Sequence, residues 1–273
     1  MFSKKDYFFN KLSIGVSDRD FISIKNLKEI DIDDNIHAKH SFVDLFRNGT
    51  LMARNSLICA FLWFTATLSY YGLSLGSASL PGSIYFTNSI YGLVEIPSYI
   101  IAGFVIDADW MGRKRLLSIS YFISGACTLI GTGIAESTFC RPKELSDSLI
   151  LTGFIFSSLG KFGIGMAFAV VYNYTSELFP TKMRNSAMGF SSTVARIGGM
   201  LSPVIIMLYN KVSWLPGMVF GTLGVLAAIV TLLLPETNNV PMLMTISDAN
   251  RLYANGGFFK KKNKGKENLA FQN

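Results

Sequence analysis

The stretch NSLICAFLWFTATLSYYGLSLG, residues 55–76, carries neither a charged side chain nor a proline. At 1.5 Å of rise per helical residue it is long enough to cross the ~30 Å hydrocarbon core of a bilayer, which calls for roughly 20 apolar positions. Five more windows of that kind follow, at 83–106, 116–135, 148–175, 185–210 and 212–234. The first, third and sixth are uncharged. The second, fourth and fifth carry one charge each, Glu95, Lys161 and Arg196. One such helix could be the core of a large soluble protein, but six in 273 residues leave almost nothing to build a polar shell. The expected fold is therefore all-α, a polytopic membrane protein with six transmembrane helices.

Composition points the same way. Half of the residues are hydrophobic, 16% are charged, and the mean hydropathy is +0.36, which argues against disorder and against an ordinary water-facing surface. Three cysteines are too few for a disulfide scaffold and lack the Cys/His clustering of a zinc site. Cys59 and Cys127 fall inside spans, and Cys140 is expected alone in a loop on the opposite side, so no intrachain disulfide is expected.

A net charge of +7 could suggest nucleic acid as a partner, but the 25 basic residues follow membrane topology. Residues 1–54 carry nine, the loop 107–115 three, the loop 177–184 two and the tail from Pro235 six, which puts twenty on one face. The other face has Arg141, Lys143 and Lys211. Lys and Arg in short connections are retained in the cytoplasm, so both termini are expected there. No nucleic-acid partner is expected. The first fifteen residues lack the apolar stretch of a signal peptide, so no cleavage is expected. The acceptor patterns at Asn48 and Asn173 should stay unglycosylated, one cytoplasmic and one at a membrane boundary. The chain divides into a cytoplasmic linker segment, 1–46, a six-helix transmembrane half-bundle, 47–237, and a basic cytoplasmic tail, 238–273. In the tail, KKKNKGK at 260–266 is either a solvated run or an anionic-lipid contact worth about 1 kcal/mol per base.

Glu95, Lys161 and Arg196 lie deep in their spans. A charge at the bilayer centre costs at least ~2.5–3.5 kcal/mol, so each must face protein, water or a partner. One arrangement is a mutual ion pair or triad that only fixes packing. The other is a polar cavity halfway through the membrane, where transporters hold substrate. One acid and two bases leave an excess positive charge, which suits an anionic or carboxylate-bearing solute. Arg196 is the better anchor, because a guanidinium stays charged and grips a carboxylate through two parallel hydrogen bonds. Lys161 could be a point charge or a partner for Glu95. Aromatic side chains at Trp63, Tyr70, Tyr71, Tyr172 and Tyr174 either pack or stack on planar and cationic groups. Candidate substrate contacts are thus Lys161, Arg196, Glu95, Tyr71 and Tyr172. Gly160, Gly163 and Gly165 around Lys161, Gly198 and Gly199 after Arg196, and the Gly217–Gly221 pair permit close helix contact. Pro97 and Pro203 are expected to kink their spans.

Several strings resemble one family. They are SFVDLFRNGTL at 41–51, YYGLSLG at 70–76, GLVEIPSYI at 92–100, MGRKR at 111–115, GKFGI at 160–164, YTSELFPTKMRNSAMG at 174–189, SSTVARIGG at 191–199 and LLLPET at 232–237. In this order they resemble the C-terminal half, helices 7 to 12, of the organic cation, anion and carnitine transporters of the major facilitator superfamily. The resemblance implies alternating access for a small organic ion, without a cofactor and without enzymatic chemistry. It also implies a conformational latch built from Asp109, Gly112, Arg113 and Lys114 in one cytoplasmic loop and Glu177 and Arg184 bracketing the next. Trp110 departs from the family signature, which has a base there. The family's cation-selective members tend to carry an acid where this chain has Arg196, which implies an anionic substrate or a zwitterion such as carnitine, with an organic cation as the remaining alternative because some members called cation transporters share the VARIG pattern.

The expected partners are a small organic ion, the lipid bilayer, and a missing N-terminal half or another copy of the chain. The expected location is the plasma membrane. A truncated, non-transporting protein that oligomerises with or regulates a full-length transporter is the competing reading. An enzyme is disfavoured, since His37 and His40 lie in the linker and no nucleophile with a base and an orienting group is evident.

Overall fold

The computed structural model describes residues 46, 50–77, 83–106, 108, 111–140, 147–238, 243, 249 and 252–253. The chain divides into two units, 1–41 and 42–273, and every described residue belongs to the second. Among the described residues, six α-helices are delimited: α1 (Thr50–Gly76), α2 (Ile84–Val105), α3 (Arg113–Cys140), α4 (Asp147–Leu178), α5 (Thr181–Met207) and α6 (Leu215–Thr231), with a short 3-10 turn, Leu208–Asn210, after α5. The described residues form no strand. This is the all-α, polytopic membrane architecture that the apolar windows predict. Helices α1, α4, α5 and the Arg113–Ile134 part of α3 are long and apolar enough to cross a membrane, and α6 is apolar but shorter.

The boundaries differ from the apolar windows for physical reasons. Helix α3 runs on to Cys140, so that cysteine ends a helix rather than standing in a loop. The expected loop 177–184 shrinks to Phe179 and Pro180, because Glu177 still belongs to α4 and Arg184 already belongs to α5. Proline has no donor and a fixed φ, which suits the extended N-cap position it takes here (φ −60°, ψ 150°). Helix α6 covers 17 residues of its 23-residue window. Its last residues tighten into i→i+3 turns, in which the N–H groups of Leu232, Leu233 and Leu234 donate to Ile229, Val230 and Thr231. Pro97 and Pro203 lie inside α2 and α5.

Helix α1 is the hub, packing on α4, α5 and α6, while α3 is sandwiched between α4 and α6. Small residues set these crossings. A Cβ on Gly125 of α3 would lie 2.8 Å from the Gly221 carbonyl oxygen of α6, and one on Gly163 of α4 would lie 2.9 Å from the Ser120 carbonyl oxygen of α3. Helix α5 offers Ala187, Ser191, Ala195, Gly198 and Ser202 as a buried stripe at helical spacing toward α1. Buried hydroxyls close the remaining gaps, Tyr121 donating to the Leu62 carbonyl (2.7 Å) and Ser118 to the Ala228 carbonyl (2.8 Å). The outward face of α2 is apolar, with Tyr85, Phe86 and Phe104 strongly exposed. A bilayer, not water, is the medium such a surface fits.

Candidate functional site inside the bundle

The site is built from one face of α4 and one of α1. Lys161, Gly165, Phe168 and Tyr172 recur at i, i+4, i+7 and i+11, the spacing that places side chains along a single helical stripe. Trp63, Tyr70 and Ser74 do the same on α1. The two stripes interlock as a ladder of rings. Trp63 meets Tyr172 (centroids 4.1 Å), Tyr172 meets Phe168 (5.5 Å), and Phe168 meets Tyr70 (5.3 Å). The Trp63 indole N–H is satisfied by the Thr175 hydroxyl at 2.9 Å.

Lys161 terminates the ladder. Its ammonium lies 3.4 Å from the centre of the Tyr70 ring, donates to the Ser74 hydroxyl (2.7 Å) and the Tyr70 carbonyl (3.4 Å), and stands 3.9 Å from the Glu95 carboxylate. Only 2% of its side chain is exposed, against 18% for Glu95. The other Glu95 oxygen accepts from the hydroxyls of Tyr70 (2.5 Å) and Tyr99 (2.6 Å). Helix α2 reaches this position because Gly165 leaves room for it, a Cβ there falling 2.8 Å from the Ser98 hydroxyl. An ion pair taken out of water is tolerable only when its remaining lone pairs and protons find partners, and this pair has them.

Two of the three deep charges therefore meet, and the third does not join them. Arg196 sits on α5 with its side chain exposed, and it forms no ion pair with the described residues. Beside it, Gly199 faces Tyr71, the ring edge 3.6 Å from where a Cβ would be. Tyr71 and Tyr172 are both open, at 48% and 40% exposure. The bundle thus offers one buried cation that is internally neutralised and one exposed cation that is not.

A second charged cluster stands at the α2–α3 turn. Gly112 has φ +72°, a left-handed backbone that glycine adopts without strain. A Cβ there would also meet a Glu236 carboxylate oxygen at 2.7 Å. That carboxylate accepts from the N–H groups of Arg113 (3.0 Å) and Lys114 (3.3 Å), the first donors of α3, and so caps the positive end of the helix. Arg113 pairs with Glu177 at the end of α4, and Glu177 also accepts from the Thr237 hydroxyl at 3.1 Å. Tyr174 donates to the Pro235 carbonyl (2.5 Å) and Tyr253 to the Leu178 carbonyl (2.9 Å). Burial holds the Tyr253 phenol above its ordinary pKa, so it remains a donor. Arg184 lies in the first turn of α5, its Nε buried and without a hydrogen bond among the described residues. Asp109 lies outside the described residues, as do the basic run 260–266 and all of the linker 1–46 except Phe46.

Sequence reasoning missed Ser74, Tyr99 and Glu236 as partners. Tyr99 is one helical turn after Glu95 and Ser74 one turn after Tyr70, so spacing carried a signal for both. Glu236 was visible only as part of a motif, because its contact spans more than 120 residues of chain.

Residues 49–245 match the family described as Major Facilitator Superfamily. The chain belongs to that superfamily. Within it, the chain is similar to proteins of the organic-ion branch. It is 35% identical over 214 residues to "Solute carrier family 22 member 15-like" of Xenopus laevis, covering 78% of this chain and 42% of that protein. It is 34% identical over 213 residues to "Organic cation/carnitine transporter 2" of Mus musculus, covering 78% of this chain and 36% of that protein. "Solute carrier family 22 member 16" of Bos taurus is 35% identical over 218 residues, 80% of this chain and 36% of the relative. The chain spans about two fifths of the length of these relatives.

Proposed function

We propose that this chain forms one wall of an alternating-access transporter for small organic ions, with carboxylate-bearing solutes such as carnitine as the preferred class. The observation that carries the reading is the exposed guanidinium of Arg196 halfway along a helix that is long and apolar enough to cross a membrane. Such a charge cannot face hydrocarbon cheaply. The wall it stands on is completed by a six-helix partner, either a preceding half or a second copy. Solute docks against Arg196 with Tyr71 and Tyr172 as adjoining ring surfaces, and the two halves rock around it. The Arg113–Glu177 pair and the Glu236 cap, on the cytoplasmic side, form a latch with Gly112, Lys114 and, across the turn, Arg184 and Asp109. Both termini face the cytoplasm, the membrane is the plasma membrane, and the basic tail lies against anionic lipid.

Uptake of radiolabelled carnitine tests this in cells expressing the chain together with a six-helix first half, at matched surface abundance. Saturable uptake is expected, abolished by Arg196→Ala and partly kept by Arg196→Lys, since an ammonium attracts a carboxylate but cannot grip it at two points. Full uptake by the Arg196→Ala protein at the surface removes that residue from the path. No uptake in any combination favours the non-transporting, regulatory reading.

A further inference from the structure

The turn between α4 and α5, Phe179–Pro180, joins two helix ends that the local sequence leaves without caps. Pro180 takes the N-cap position of α5 and has no side chain that can accept a hydrogen bond there. The last turn of α4 carries no basic residue. The Thr181 N–H and the Leu178 carbonyl are among the groups an α-helix cannot satisfy within itself, and both find partners far along the chain. The Thr181 N–H donates to the Leu243 carbonyl (3.0 Å), and the Leu178 carbonyl accepts from the Tyr253 hydroxyl (2.9 Å). Leu243, Ala249 and Tyr253 are 4%, 0% and 4% exposed and share a buried cluster with Leu178, Phe179 and Met183. Residues from beyond α6 therefore grip the turn on both sides.

We propose that Leu243 and Tyr253 form a clamp that sets the angle between α4 and α5. The two helices need one, because past the turn they pack on each other less than either packs on α1. Neighbouring residues of α1 hold them apart. Trp63 meets Tyr172 of α4, while a Cβ on Gly198 of α5 would lie 2.7 Å from the Phe64 carbonyl oxygen. The arms of this V carry Tyr172 and Arg196, so the clamp at the apex governs how those residues are spread. Each arm, from the turn to Ile155 or to Val204, is ~34 Å long at 1.5 Å per residue, and an opening of about 10° separates the two points by about 6 Å. A hydrogen bond at the apex contributes only about 1 kcal/mol, but a backbone group left buried and unpaired costs ~1–3 kcal/mol, so clamp and turn hold or release together. The clamp holds the angle whether or not the bundle transports.

Spin labels on Ile155→Cys and Val204→Cys, both exposed positions, report the angle by pulsed electron double resonance on the whole chain in lipid nanodiscs, with the three native cysteines replaced by serine. Labels on Phe122→Cys of α3 and Leu226→Cys of α6, also exposed, report general loosening. Ala249→Glu puts a charge where there is no exposure and should expel the gripping residues. The α4–α5 separation should then shift or broaden by about 3 Å or more, while the α3–α6 separation stays as it was. Tyr253→Phe keeps the ring and loses only the donor, so it should give a smaller change in the same direction, with Tyr253→Ala between the two. Should Ala249→Glu fail to fold, the two Tyr253 substitutions still decide the matter. An α4–α5 separation that ignores Tyr253→Ala, or one that changes only together with the α3–α6 separation, overturns the proposal. None of these outcomes bears on uptake.

Discussion

Two charged clusters in this bundle use nearly the same groups and do opposite work. Inside, Lys161 and Glu95 are held by two tyrosines and one serine, with 2% of the lysine and 18% of the glutamate side chain exposed. At the α2–α3 turn, Arg113 and Glu177 are 20% and 30% exposed, and a second carboxylate, Glu236, accepts from the backbone N–H groups of Arg113 and Lys114. The interior pair is costly to disturb because the buried Lys161 has Glu95 as its opposite charge and little water to replace it. The turn cluster is cheap to disturb pair by pair, since water replaces a lost partner, but it is sensitive wherever backbone geometry is involved.

The largest expected effect tests the first half of that contrast. Glu95→Ala leaves Lys161 buried without a counter-charge and should cost about 3–5 kcal/mol in equilibrium unfolding from mixed micelles. The double substitution Glu95→Ala with Lys161→Met should recover most of the loss. If Glu95→Ala alone is nearly neutral, the pair is not as dry as its burial indicates.

Next in size is Gly112→Ala. A left-handed backbone costs a residue with a side chain about 1–2 kcal/mol, and the new methyl group also displaces the Glu236 carboxylate. The loss should exceed that of Gly133→Ala, a position in α3 where a Cβ meets nothing within 4 Å. Equal effects at the two glycines would show that the turn is free to rearrange.

The smallest effect belongs to the Arg113–Glu177 pair. A double-mutant cycle with Arg113→Ala and Glu177→Gln should give a coupling under ~1 kcal/mol that shrinks as salt is added. A coupling of several kcal/mol, insensitive to salt, would place this pair in the same class as the interior one and erase the distinction.

Much of this was legible in the sequence because a bilayer imposes a length and a hydropathy on every crossing segment, and the windows found by that rule coincide with the six helices to within a few residues. The depth of Glu95, Lys161 and Arg196 was equally plain. What could not be read was their grouping. Spacing along one helix says which residues share a face, but not which helix that face meets. Lys161 joins Glu95 because Gly165 admits α2, and Arg196 is kept apart because α5 packs its small-residue stripe on α1. The turn cluster was less legible still. Glu236 reaches Arg113 across the whole bundle, a contact that exists only once α6 has returned beside α3.

The account rests on Arg196 facing a water-filled path rather than lipid or a protein partner. Cysteine accessibility measures this directly. In a background with Cys59, Cys127 and Cys140 replaced by serine, Arg196→Cys in the assembled membrane protein is treated with a charged, membrane-impermeant methanethiosulfonate reagent. The account predicts rapid modification of the thiol. A thiol that stays unmodified in folded protein at the cell surface, with or without solute, would contradict it.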